Sequence, residues 1–129
     1  MERYQLSKEL AGEILAQAKR QGATAGDVGM VEGESLYVTV RLGEIDKISQ
    51  SREKRLGVRL FRGTSSATAS TSDISQGAID KLIDDTLAMA SATASDEYSG
   101  LPAAEDLVCE PPDLDHVDDR ASGVGVEEK

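Results

Sequence analysis

Arg41–Ser75 reads RLGEIDKISQSREKRLGVRLFRGTSSATASTSDIS, and its glycines and alternating side chains decide the fold. Leu56, Val58 and Leu60 fall on one face of an extended chain and Arg59 and Phe61 on the other, as a half-buried strand over Leu56–Arg62 requires. Gly63 closes that strand, and Ser65–Thr71 follows as a small, polar one. Ala67 and Ala69 suit close approach by a layer of helices, which leaves Ser66, Thr68 and Ser70 toward solvent or a partner chain. Upstream, Gly43-Glu44 is expected to reverse the chain into a strand over Ile45–Arg52. A bulge near Lys47 would let both Ile45 and Ile48 be buried.

Working outward toward the N-terminus, Leu36, Val38, Val40 and Leu42 alternate with Tyr37, Thr39 and Arg41, which predicts a strand over Ser35–Leu42. Gly33-Glu34 reads as a turn, and Asp27–Glu32 as a further short strand before it. From Gln5 to Gln21, Leu6, Leu10, Ala11, Ile14, Leu15 and Ala18 recur at three- and four-residue spacing, the stripe of an amphipathic helix. Gly22 stands where a left-handed C-terminal cap belongs.

Toward the C-terminus, Ser75 is expected to cap a second helix with its hydroxyl. That helix runs to about Ala92 with Ile79, Leu82, Ile83, Leu87 and Ala90 as its apolar stripe, while Asp80, Asp84 and Asp85 near Lys81 read as a solvated face. After Ala94 neither period persists, and the chain reads as an acidic, proline-punctuated connector. The expected organisation is an α+β domain over residues 1–94 and an extended connector over 95–129, cut before a larger C-terminal domain. Two helices would cover one face of an antiparallel sheet of four to five strands.

Composition narrows the function classes. The chain has 129 residues, one Phe, three Tyr and no Trp, so its core must be aliphatic rather than an aromatic ligand pocket. Residues 1–94 carry 13 acids against 12 bases and sum to −1, whereas residues 95–129 carry 11 against 2 and sum to −9. That balance disfavours nucleic acid as a partner of the whole chain, because duplex binders present a basic face to the phosphates. The basic middle, with Arg52, Lys54, Arg55, Arg59 and Arg62, offers an aromatic only in Phe61 and reads as a solvated sheet face. No apolar run approaches the roughly 18 residues that span a bilayer. The single Cys109 precludes an internal disulfide, and a reducing cytoplasm is the expected setting.

Cys109 and His116 make a poor metal or nucleophile pair, since metal sites need three or four ligands and a catalytic pair needs a third group. Asp113, Asp115, Asp118 and Asp119 lack the turn glycine of a calcium loop, and Val117 stands where an oxygen ligand belongs. The Thr64–Ser75 hydroxyl cluster contains no Gly-x-Ser-x-Gly elbow, and no phosphate loop occurs anywhere in the chain.

Four stretches together carry a resemblance: the Gly22-Ala23 turn, VTVRLGEIDKIS at Val38–Ser49, RLGVRLFRGTSSATASTSDIS at Arg55–Ser75, and SDEYSGLP at Ser95–Pro102. With the connector PPDLDHVD at Pro111–Asp118, they resemble the N-terminal domain of the PmbA/TldD family, described as modulators of DNA gyrase and as metalloprotease subunits, with the connector leaning to the PmbA side. The resemblance implies a zinc site in a downstream region or partner subunit, and no catalytic, cofactor or metal residue in this chain. It implies a PmbA/TldD-type partner subunit and a peptide substrate enclosed by the assembly, and the lack of a long apolar run adds the expectation of no membrane. Ser66, Thr68 and Ser70 are the candidate peptide or subunit contacts. The alternative expectation is a regulatory or DNA-associated binding module without enzymatic activity.

Overall fold

A computed structural model describes residues 2–128, without the side chains of residues 2–4, 6 and 122. The Leu6 side chain of the expected helix stripe and Lys129 of the expected tail therefore lie outside the described residues. The elements run α1 (Glu2–Arg20), β1 (Ala25–Arg41), β2 (Glu44–Arg62), β3 (Ser65–Thr71) and α2 (Gln76–Ala92). Short 3₁₀ turns follow at Ala104–Asp106, Asp119–Gly123 and Val126–Glu128. The strands form one sheet in the order β1-β2-β3.

The class is α+β, but the sheet has three strands rather than four or five. The expected strands over Asp27–Glu32 and Ser35–Leu42 are one strand of 17 residues, and those over Ile45–Arg52 and Leu56–Arg62 are one of 19. Two sequence signals misled. Gly33-Glu34 looks like a turn, yet Gly33 keeps an extended backbone and is absent from the glycines with positive φ. Glu53-Lys54-Arg55 looks like a polar gap, yet polar side chains interrupt a strand's apolar pattern without interrupting its ladder.

The first reversal falls at Leu42-Gly43, one residue before the expected Gly43-Glu44, and the second at Gly63-Thr64 as expected. Leu42 (φ 53) and Gly43 (φ 82) form a two-residue turn with both φ angles positive, the type I′ geometry that matches strand twist. Gly43 suits that conformation and Leu42 does not, since a side chain in the left-handed region costs about 1 kcal/mol. At the next reversal only Gly63 has positive φ, the pattern of a II′ turn.

By contacts, the described chain divides into two units. The first comprises residues up to Gly33 together with Glu53–Leu101, and it holds the buried core. Ile14 and Ala18 of α1, Leu56, Val58 and Leu60 of β2, and Ile79, Leu82, Ile83 and Leu87 of α2 make one cluster, so both helices pack on the same face of β2. Each fully buried Leu or Ile contributes about 1.5–3 kcal/mol. Helix α1 ends as expected at Gly22 (φ 107), where Ala23 N–H donates to Ala18 C=O and Gly22 N–H to Lys19 C=O, a Schellman cap.

Ser75 does occupy the N-cap of α2, but its hydroxyl makes no capping bond. It is engaged elsewhere: Ser75 N–H donates to Asp73 Oδ1, and the Ser75 amide and hydroxyl together hold the Asp73 carboxyl below the usual range.

The second unit comprises Glu34–Arg52 and residues 102–128. Here Ile45 and Ile48 are about half exposed, so the bulge expected near Lys47 has no burial to explain. The hairpin is held by polar cross-strand contacts. Glu34 accepts from Gln50 Nε2 (2.9 Å) and Arg52 Nη2 (3.3 Å), and the hydroxyls of Ser35 and Ser51 share a hydrogen bond of 2.7 Å.

Candidate functional site

The β2–β3 register is continuous from Leu56↔Thr71 to Arg62↔Ser65. Paired residues share a face, so Ala67 beside Leu60 and Ala69 beside Val58 lie toward the helices, as their small size predicts. Ser66, Thr68 and Ser70 lie on the opposite face, paired with Phe61, Arg59 and Gly57. The three do not share one environment. Thr68 and Ser70 are exposed, whereas Ser66 is half-buried and its hydroxyl lies 3.4 Å from that of Ser99. Close by, Asp96 N–H donates to Thr64 C=O, so the chain leaving α2 is tied to the start of β3.

Phe61 is only 2% exposed although it sits on this second face, a burial that alternation alone did not reveal. The Arg59 guanidinium carbon stands 5.5 Å from the Phe61 ring centroid, within cation–π range. Arg59 also makes a two-pronged contact with Asp27, Nε to Oδ1 at 3.0 Å and Nη2 to Oδ2 at 2.6 Å, which raises its already high pKa. Asp27, Gly29, Gly57, Arg59 and Thr68 line a shallow depression on this face. Strand alternation in β2 puts Arg55 and Arg59 on this side and Lys54 and Arg62 on the helix side, where Arg62 Nη2 donates to Gln21 C=O. The basic residues of the first unit are thus split between two faces, and the most ordered of them is neutralised by Asp27.

Asp80 was expected on a solvated face. It is instead half-buried and accepts hydrogen bonds from Gln17 Nε2 of α1 and Gln76 Nε2 of α2, both 2.8 Å. The Gln17 bond, then the Gln76 bond, lowers its pKa. Periodicity places Asp80 outside the apolar stripe and is silent on its partner 63 residues away. Lys81 and Asp85 do form the expected local ion pair.

Cys109 and His116 are both exposed in the second unit, and Cys109 Sγ reaches only the Leu107 carbonyl, at 3.8 Å. The acids of Asp113–Asp119 bond locally: Asp113 accepts from Asp115 N–H, and Asp118 from the Arg120 amide and guanidinium. Among the described residues, no group of three or more His, Cys, Asp and Glu is arranged to hold a metal ion. Among them, too, no helix is long and apolar enough to cross a membrane.

The fold and this face define a small two-layer α+β domain, two helices on one side of a three-stranded sheet. Residues 26–90 match the family profile described as PmbA/TldA metallopeptidase domain 1, and the chain belongs to the PmbA/TldD family. It is 33% identical over 98 residues to the "Metalloprotease PmbA homolog" of Haemophilus influenzae and 29% identical over 101 residues to "Metalloprotease PmbA" of Escherichia coli O157:H7. Those matches take in 76% and 78% of this chain and 22% of each relative, so the chain spans about a fifth of the curated relatives' length. A crystal structure of a candidate modulator of DNA gyrase from Bacteroides thetaiotaomicron has the same fold, with a TM-score of 0.85, 20% identity, and coverage of 95% of this chain and 28% of its own. The metallopeptidase description implies a metal, zinc by family. The donors present here do not fit one, because the single histidine and single cysteine are exposed and lack a third ligand.

Proposed function

We propose that this chain is a non-catalytic N-terminal domain of a PmbA/TldD-type cytoplasmic metalloprotease subunit. In this role it supports subunit assembly and forms part of the wall that encloses a peptide for proteolysis. Residues 1–94 supply the folded domain, and residues 95–129 the connector to the catalytic region of the parent. The observation that carries the proposal is the contrast between a family match over residues 26–90 and the lack, among the described residues, of a group of donors arranged for a metal. Zinc and the hydrolytic machinery then belong to the downstream region or to the partner subunit. Thr68 and Ser70, with Ser66 beside them, are the surface offered to peptide or partner.

The DNA-associated alternative is not favoured, because the basic residues of the first unit are divided between two faces and Arg59 is held by Asp27. The deciding experiment is metal analysis of the purified chain combined with a peptidase assay using an unstructured model peptide. The expected result is no stoichiometric zinc and no hydrolysis. Tight one-to-one zinc would overturn the proposal.

A further inference from the structure

We infer that Ser35–Arg41, on the β1 side of the hairpin arm, is a self-association site where a second copy of the chain adds its own β1 in antiparallel register. The arm is the part of the sheet that β3 does not reach. Strand β3 pairs only with Leu56–Arg62, so over Glu44–Arg55 strand β2 has β1 on one side and no strand on the other. A two-stranded ribbon is marginal in water and needs a third strand or a packed helix. No helix supplies that support, because the unit made of Glu34–Arg52 and residues 102–128 contains neither α1 nor α2, and the buried cluster has no member in the arm. The tail does not complete the ladder either. Among the described residues, the backbone hydrogen bonds of residues 102–128 are local turns.

The two edges of the arm differ in protection. Strand β2 from Glu44 to Arg55 carries seven charged residues in twelve, Lys47 and Lys54 among them, which is how edge strands are kept apart. Strand β1 over Ser35–Val40 reads Ser-Leu-Tyr-Val-Thr-Val, with no charge, proline or glycine, a composition that favours pairing. Tyr37 is 68% exposed and Val40 54%.

Charge and register select a second copy as the occupant. The chain carries −10 overall, so two copies repel across most of their surface. Glu34–Arg52 is the exception, with Glu34, Glu44 and Asp46 against Arg41, Lys47 and Arg52, and copies meet there without a like-charge penalty. A charged foreign strand would find no counter-charge along Ser35–Val40. Paired residues share a face, so a two-fold axis normal to the sheet must pass through a residue. Through Val38 it sets Val38 against itself, Tyr37 against Thr39, Leu36 against Val40 and Ser35 against Arg41, which matches apolar and β-branched side chains throughout the centre. Through Tyr37 it would set Glu34 against Val40. Through Thr39 it would set Leu36 against Leu42, whose φ of 53 takes it out of the strand. Paired about Val38, two arms make a four-stranded sheet and remove the unprotected edge from both copies. The contact is only about 23 Å of strand, so the association is reversible.

The test is sedimentation of the full chain over a rising concentration series, with amide exchange mapped on the same samples. The expected result is a shift from 13.7 kDa toward twice that mass, with exchange slowed at alternate amides of Ser35–Arg41. Val38→Lys and Val38→Glu lie outside the buried core, and each sets like charges opposite one another on the axis, so each should weaken association about tenfold. An equimolar mixture of the two should recover the dimer, because Lys then faces Glu. A merely structural loss does not predict that recovery. A wild-type chain that stays monomeric, slowed exchange centred outside Ser35–Arg41, or two folded variants that do not recover on mixing would each overturn the site, and the first two outcomes decide even if the variants misfold. A monomeric chain would leave the peptidase reading to the zinc and hydrolysis assays, which are independent of this site.

Discussion

Strand β2 is one continuous element with two unlike halves. Every residue from Glu44 to Glu53 is exposed, whereas Leu56, Val58, Leu60 and Phe61 are each 2% exposed or less. Both halves carry β-branched or aliphatic residues at strand positions, so local propensity does not separate them. What separates them is cover: the second half lies under α1 and α2, and the first is held by Glu34, Gln50, Arg52 and paired serines. A strand can therefore be specified by its turns and cross-strand contacts in one half and by burial in the other, with very different energetic consequences.

Substitution breaks the comparison most sharply at its two extremes. Leu60→Ala should destabilise the chain by about 2–5 kcal/mol through lost transfer energy and a residual cavity, whereas Ile48→Ala should stay within about 0.5 kcal/mol. Urea unfolding followed by circular dichroism compares the two, and similar midpoints would dissolve the contrast between the halves.

Gly26→Ala comes next. An added Cβ would stand 2.8 Å from Leu60 Cδ2, 3.1 Å from Arg59 O and 3.2 Å from Leu15 Cδ2, so β1 approaches the core only without a side chain there. The expected loss is about 1–3 kcal/mol from overpacking, read from the same unfolding curves. At the far end of the hairpin the sign reverses. Leu42→Asn places a residue that tolerates positive φ in the type I′ turn and removes a side chain that is 97% exposed, for an expected gain of about 0.5–1 kcal/mol. A loss on this substitution would show that Leu42 has a contact that this turn geometry does not explain.

The smallest effect is confined to acid. Asp80 has a lowered folded pKa, so the stability its charge confers is full above the ordinary carboxylate value near 4 and fades as pH falls through the lower folded value. Thermal melts from pH 7 down to 2 should lose part of their acid-side slope in Asp80→Asn, and an unchanged slope would remove Asp80 from the acid response.

Much of this architecture is legible because it is written in short-range chemistry. The 3.6-residue stripe of Ile79, Leu82, Ile83 and Leu87, the period-two set of Leu56, Val58 and Leu60, and the glycine at the end of α1 are each local signals that the fold honours. The candidate site is legible only in part. Hydroxyls at Ser66, Thr68 and Ser70 can be seen on one face from alternation, but Ser66 turns out to be engaged with Ser99, 33 residues away. Strand number was misread for a related reason, since Gly33 is compatible with both a turn and an extended chain and only the ladder selects between them.

By itself, the sequence determines the α+β class, the helix stripes, the two faces of β2 and β3, and membership of the PmbA/TldD family. Tertiary structure alone decides that there are three strands, that Ile45 and Ile48 stay exposed while Phe61 is buried, that Asp80 joins α1 to α2, and that Thr68 and Ser70 stay exposed while Ser66 meets Ser99. The division follows from range. Periodicity and turn preference act over a few residues and survive in any context, whereas burial, long-range hydrogen bonds and ladder phase exist only once distant segments meet.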